Sequence, residues 1–204
     1  MAKSFSQNSF FDESHVIAAP IPGLIYIPEY ISQQQENDLI RIIDAQPWIT
    51  ELKRRVQHYG YRYDYKARNI TPESKLEPLP EWLLSYCEQL HTDNIFSYLP
   101  DQVIINEYQP GQGIAPHIDC VPCFEETIAS LSLSSPCVMD FTHVDTGEKI
   151  PILLEPCSLV VLSSDARYRW QHAISQRKTD KYNGKIIPRS RRISLTFRKV
   201  ILVE

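Results

Sequence analysis

From residue 101 to the end of the chain there is little room for a long helix, because short β-branched runs are cut every few positions by Pro, Gly, Ser and Asp. Proline inside a helix removes a hydrogen bond and clashes with the preceding turn, whereas a strand needs only a handful of uninterrupted residues. Strands are therefore predicted near 102–108, 114–118, 127–133, 136–142, 149–154, 158–162, 168–174 and 191–200. In the third, Ala129, Leu131 and Leu133 alternate with Ser130, Ser132 and Ser134, so one face meets a core and the other something polar. About eight short strands fit a double-sheet jelly roll better than a parallel α/β sheet.

The N-terminal half reads differently. Ser32 with Gln35 forms a capping box that opens a helix whose stripe is Leu39, Ile40, Ile42 and Ile43. A second helix follows Pro78 and Pro80 and carries Trp82, Leu83, Leu84, Tyr86 and Leu90. Both are expected to buttress an outer face, giving an α+β chain built on a double-stranded β-helix. A length of 204 residues suits one core, so residues 20–204 are expected to be a single domain and 1–19 a flexible extension. The opening MAKSFSQNSFFDES has neither a signal-peptide apolar run nor a membrane-spanning one. The expectation is an intracellular, cytoplasmic monomer with no membrane association, with the nucleus open to a eukaryotic chain. Five cysteines in such a setting predict reduced thiols.

The segment from Asn106 to Asp119 ends in His-x-Asp after a Pro-Gly turn. On a strand, residues two apart share a side, so His117 and Asp119 can converge on one ion while Ile118 packs away. His172, 55 residues further on, is the expected third ligand, since the intervening strands let the chain cross both sheets and return. Two imidazoles and one carboxylate suit Fe(II) and leave adjacent coordination positions open for a bidentate 2-oxo acid and O₂. A second His-x-Asp, His143 and Asp145, precedes Thr-Gly-Glu-Lys and reads as a hairpin turn. His58 and His91 lie outside the later strands. Cys120 and Cys123 form Cys-x-x-Cys without a second ligand pair, which argues against zinc.

Near the C-terminus Arg192, Ser194, Thr196 and Arg198 share one strand face, a row of donors suited to a dicarboxylate such as 2-oxoglutarate. Ile193, Leu195 and Phe197 would pack the other way.

With these elements in order, the chain resembles the AlkB-type branch of the Fe(II)/2-oxoglutarate dioxygenases, which carries Asn-x-Tyr-x-Pro-Gly before His-x-Asp, a distal His, and Arg-x-x-x-Thr-Phe-Arg. The resemblance implies that Asn106, Tyr108, Arg192, Ser194 and Arg198 contact 2-oxoglutarate, with Arg192 on its distal carboxylate. It also implies that the stretch His58–Tyr63 belongs to the substrate lid, with Tyr61 a substrate contact. Bacterial repair enzymes of this branch have an acidic residue two positions beyond the aspartate, near the methylated base; here it is Val121. In Ser-Leu-Ser, Val-Met-Asp-Phe and Arg-Tyr-x-Trp-x-His the chain is more similar to the AlkB-type domain of tRNA wobble-uridine hydroxylases.

Net charge is −4, yet between Arg167 and Lys199 eleven bases face a single acid, Asp180. Such a stretch is expected to attract phosphates. The implied substrate is a modified nucleic acid, either demethylated at an alkylated base or hydroxylated at a modified tRNA base. A protein or small-molecule substrate is the alternative that the overall acidity favours.

Overall fold

In a computed structural model of the chain, the residues described are 17–18 and 20–202. The expected extension, 1–19, falls outside them except for 17–18. Strands β1 (Ile17–Ala18), β2 (Leu24–Ile27), β3 (Arg55–Tyr59) and β4 (Gln102–Tyr108) join β6 (Phe124–Leu133), β9 (Leu159–Leu162) and β13 (Arg192–Val200) in a seven-stranded sheet ordered β1-β2-β9-β6-β13-β4-β3. A smaller sheet has the order β5-β10-β7-β8, from β5 (Ile114–His117), β7 (Cys137–His143), β8 (Lys149–Leu154) and β10 (Trp170–Ile174). Every pairing is antiparallel. This is the expected double-sheet jelly roll.

The two predicted helices are α1 (Gln33–Asp44) and α2 (Glu81–Thr92). At the start of α1 the Ser32 hydroxyl accepts from the Gln35 amide at 3.2 Å, and the Gln35 side chain accepts from the Ser32 amide at 2.8 Å. That capping box satisfies two amides the helix itself cannot. Leu39, Ile43, Leu83 and Leu90 then bury against Val103, Ile105, Leu131 and Leu195 on the outer face of the larger sheet. Each such side chain, taken out of water, contributes about 1.5–3 kcal/mol. Between the sheets lies a second apolar cluster that includes Ile128, Met139, Phe141 and Trp170.

β13 runs down the middle of the larger sheet, with Arg192 opposite Tyr108 and Arg198 opposite Gln102 on β4, and Leu195 opposite Leu131 on β6. Ile193, Leu195 and Phe197 point to the helices. The polar partners on the same strand therefore face inward, as the period-two pattern requires.

All eight predicted strands are present. Beyond them are a short helix, α3 (Ser164–Tyr168), where the strand near 168 begins late, and a hairpin of β11 (Thr179–Tyr182) and β12 (Lys185–Pro188). The hairpin turns on Asn183 and Gly184, both at positive φ of 48° and 78°, the pattern a tight two-residue turn demands. Its root is fixed by Asp180, whose buried carboxylate accepts from Arg177 at 2.7 Å, Arg189 at 2.5 Å and the Val138 amide at 3.1 Å.

Burial pushes the Asp180 carboxyl pKa up, but Arg189, the Val138 amide and Arg177 outweigh it and hold it below its ordinary 3.8. A depressed carboxyl stabilises the fold above that ordinary value, and the contribution fades as pH falls through the lower folded value. Asp180→Asn is expected to cost roughly 3–5 kcal/mol, because it leaves buried Arg189 unpaired. Urea unfolding at neutral pH measures the loss, and the variant should show a shallower fall in stability on acidification.

Candidate metal centre and co-substrate pocket

β5 and β10 are antiparallel neighbours, and His117 sits directly opposite His172 in their register. Opposed residues project to the same side of the sheet, so the rings come to 4.3 Å between centroids. Asp119 lies just past the end of β5, and its Oδ1 is 3.6 Å from His117 Nε2. One ligand atom from each of His117, Asp119 and His172 falls within 4.8 Å of the others, the one such group of metal-ligating side chains among the described residues. His117 Nδ1 donates to the Ala115 carbonyl at 2.8 Å, which leaves the Nε2 lone pair for an ion. Gly113 permits the approach: a Cβ there would stand 2.0 Å from the Ile174 carbonyl oxygen on β10.

Burial would raise the Asp119 carboxyl pKa, but Arg198, His172, His117 and Arg167 together hold it well below the usual carboxylate range. Desolvation first, then His117, lowers His172 to about 3. A carboxylate kept charged beside a His172 imidazole kept neutral suits a divalent metal site. Arg198 donates to both Asp119 oxygens at 3.3 Å and to Gln102 at 3.2 Å. Buried Arg167 donates to the Asp119 carbonyl at 2.9 Å and the Cys120 carbonyl at 3.3 Å.

The triad opens on a cavity of about 770 Å³ that also takes in Asn106, Tyr108, Arg192, Ser194, Thr196 and Arg198. Arg192 donates to Ser132 Oγ at 2.8 Å, but its buried Nε has no partner. An orphaned guanidinium N–H costs free energy unless an acceptor meets it, and a dicarboxylate in the cavity would supply one. Asn106 accepts at 2.8 Å from Arg54, a cavity residue that the sequence reading passed over. Arg54 also stands near the rings of Tyr65 and Tyr108.

Some expected positions lie elsewhere. Tyr61 is not on the cavity wall, which is lined instead by Tyr63 and Tyr65, two and four residues on. The Tyr-x-Tyr-x-Tyr alternation held that signal. Val121 is 48% exposed on the turn after Asp119 and also lies outside the cavity. His143 caps its own turn, accepting from the Asp145 amide at 3.2 Å, and Asp145 pairs with Arg169. His58 is in β3 and His91 bonds the Phe96 carbonyl.

The basic stretch does not form a continuous face. Arg169, Arg177, Arg189, Arg191, Arg198 and Lys199 are paired with acids. Arg167 is committed to backbone carbonyls and Arg192 to the cavity. Strand alternation and buried carboxylates draw them inward, leaving Lys178, Lys181 and Lys185 exposed. The expectation of five reduced thiols is also corrected: Cys120 and Cys123 are joined as a disulfide, while Cys87, Cys137 and Cys157 are free and buried.

With this geometry in hand, the chain belongs to the 2OG-Fe(II) oxygenase superfamily, whose family model matches residues 23–198. Within that class it is of the AlkB type. It is 38% identical to the "Alkylated DNA repair protein ALKBH8 homolog" of Arabidopsis thaliana over 88% of the chain and 59% of that relative. It is 36% identical to the "tRNA (carboxymethyluridine(34)-5-O)-methyltransferase alkbh8" of Xenopus tropicalis, over 88% of the chain and 32% of that protein. The chain thus spans under two thirds of both relatives. The solved structure of OsALKBH1 shares the fold at a TM-score of 0.69 and 17% identity, covering 90% of this chain and 99% of that one. Among the described residues no helix is long and apolar enough to cross a membrane.

Mn(II) or anaerobic Fe(II) at 100 times its Kd should stabilise the protein by about 2.7 kcal/mol. For a domain of this size that is a rise of roughly 5–10 °C in Tm. His172→Ala should abolish the rise in a thermal-shift assay.

Proposed function

We propose that residues 20–204 act as one Fe(II)/2-oxoglutarate-dependent dioxygenase domain that oxidises a modified nucleic acid. The observation that carries this reading is the convergence, in one cavity, of the His117–Asp119–His172 group with the partnerless Nε of Arg192. Iron held by the triad, with 2-oxoglutarate and O₂, would supply the oxidising power. The chain's own residues set where that power is applied. Arg192 holds the distal carboxylate of the co-substrate, and Asn106, Tyr108 and Ser194 line its path. Arg198, expected from the resemblance to touch 2-oxoglutarate, grips Asp119, so its role here is to fix the carboxylate ligand and keep it ionised. Ile128, Met139, Val160 and Leu162 make the cavity's apolar wall and exclude water.

The substrate side is the cavity mouth. Tyr63 and Tyr65 supply faces on which a flipped base can stack, and exposed Lys53 and Arg68 beside them suit a phosphate. Val121 and Tyr61 do not line this mouth. The similarity to proteins named for alkylated DNA repair and for tRNA uridine modification supports nucleic acid, with either demethylation of an alkylated base or hydroxylation of a modified tRNA base as the outcome. A protein or small-molecule hydroxylase is the second reading, favoured by the neutralisation of most of the basic stretch.

Anaerobic Fe(II) with 2-oxoglutarate should give a weak visible charge-transfer band in the parent protein and none in His117→Ala; no band in the parent refutes the enzyme reading. Arg192→Met should raise the 2-oxoglutarate concentration for half-saturation about 10- to 100-fold, the loss of one or more charged hydrogen bonds. Succinate release stimulated by tRNA or methylated oligonucleotides, followed by nucleoside mass spectrometry, tests the substrate class. No stimulation by any nucleic acid favours the second reading.

A further inference from the structure

The Cys-x-x-Cys motif plays no part in the proposed reaction. It begins at the residue after Asp119, and Cys120 itself lines the cavity. Its turn is firmly placed: the Cys123 amide donates to the Cys120 carbonyl at 3.2 Å, and the Ile201 amide donates to the Cys123 carbonyl at 2.9 Å. Arg167 holds the Asp119 and Cys120 carbonyls from below. The two Cα atoms are 5.3 Å apart and the sulfurs are joined, so the pair can bridge with no movement of the backbone.

Opposite the sulfurs stands the segment that carries Tyr63 and Tyr65. Its tip is an Asx turn, in which the Asp64 side chain accepts from the Lys66 amide at 2.7 Å and the Ala67 amide at 2.9 Å. The turn ends at Arg68, a non-glycine residue at φ 55°, a left-handed conformation that a side chain with a Cβ disfavours. Its carbonyl oxygen lies 3.3 Å from Cys120 Sγ and 3.7 Å from Cys123 Sγ, within hydrogen-bond reach of sulfur. As thiols, both cysteines can donate to that carbonyl. As a disulfide, neither can, because the bridge carries no hydrogen.

We propose that Cys120 and Cys123 are a reversible redox pair that controls the hold of the aromatic segment Tyr63–Arg68 over the cavity. In the dithiol form two S–H donors tether the Arg68 carbonyl to the turn after Asp119. Oxidation by a small-molecule disulfide of the glutathione class proceeds by exchange. The half-buried Cys120 sulfur, as thiolate, attacks one sulfur of the reagent and expels a thiol, forming a mixed disulfide. Cys123 then attacks the Cys120 sulfur and expels the second thiol. The protein loses two electrons and two protons, and the reagent is reduced to two thiols. The carbonyl is left without these donors, and the turn is then held at Arg68 only from within, by the Arg68 amide on the Asp64 carbonyl at 2.8 Å and the Asp64 amide on the Asn69 carbonyl at 3.2 Å. The device does not depend on which substrate the cavity takes.

The other three cysteines are buried, so glutathione chemistry on the native protein should address this pair. The test is backbone hydrogen exchange over residues 61–71 of the metal-free protein, equilibrated in reduced or oxidised glutathione, with the thiol state read by alkylation and mass spectrometry. Oxidation should bridge the pair and speed exchange in that segment roughly 3- to 10-fold, the loss of one or two weak hydrogen bonds. Cys120→Ser with Cys123→Ser keeps hydroxyl donors and should stay slow in both buffers. Cys120→Ala with Cys123→Ala should be fast in both. A pair that stays reduced in oxidised glutathione overturns the proposal. Equal exchange in the bridged and reduced parent, or slow exchange in the alanine pair, overturns it as well.

Discussion

The pairing of β5 with β10 is the contact on which the rest of the site depends. It places His117 opposite His172, and Asp119 needs only the short turn beyond β5 to reach them both. An antiparallel ladder fixes register through its backbone hydrogen bonds, and a slip of one residue would turn an imidazole to the other face. β10 is also bonded on its other edge to β7, where His172 meets Phe141. β10 is therefore clamped from two sides, which is the preorganisation a metal site at His172 would require.

Charge is arranged around that clamp in layers. Asp119 is the acid of the cavity, and Arg198 and Arg167 approach it through its carboxylate and its own carbonyl. Burying a carboxylate is costly unless it is paired and hydrogen-bonded, and these two arginines meet that condition. Arg192 is kept apart from this group, bonded only to Ser132 Oγ, which is why its Nε remains available. The same logic accounts for the basic stretch. Its arginines are mostly structural cations matched to Asp180, Glu107, Asp44 and Asp119, so a run that reads as a polyelectrolyte along the chain is largely neutralised in space.

Much of the frame was legible because it rests on local rules. The alternation in β6 and β13 placed Leu131 and Leu195 toward the helices and Ser132 and Arg192 toward the cavity, and the Ser32–Gln35 box marked the start of α1. The Asn183-Gly184 hairpin carried an equally local signal, yet its strands, Thr179–Tyr182 and Lys185–Pro188, are too polar to announce themselves by apolar periodicity. β3 was hidden for a related reason: Arg55-Val-Gln-His-Tyr59 joins the sheet through backbone bonds to β4, and backbone bonds have no side-chain signature. Tyr63 and Tyr65 could not be separated from Tyr61 by pattern alone, since all three share one alternation.

By itself the sequence determined the strand-rich C-terminal half, the two buttressing helices, the His-x-Asp pair and the row of donors on the last strand. These follow from spacing along the backbone, where period and turn chemistry act over a few residues. The sequence also picked out His172 as the third ligand, but tertiary structure alone decided the register that sets it level with His117, that Arg198 grips Asp119, that Arg54 enters the cavity and that the Arg68 carbonyl faces Cys120 and Cys123. Each of these depends on which strand lies beside which and on what fills the space between the two sheets, and no spacing within one segment of chain contains that information.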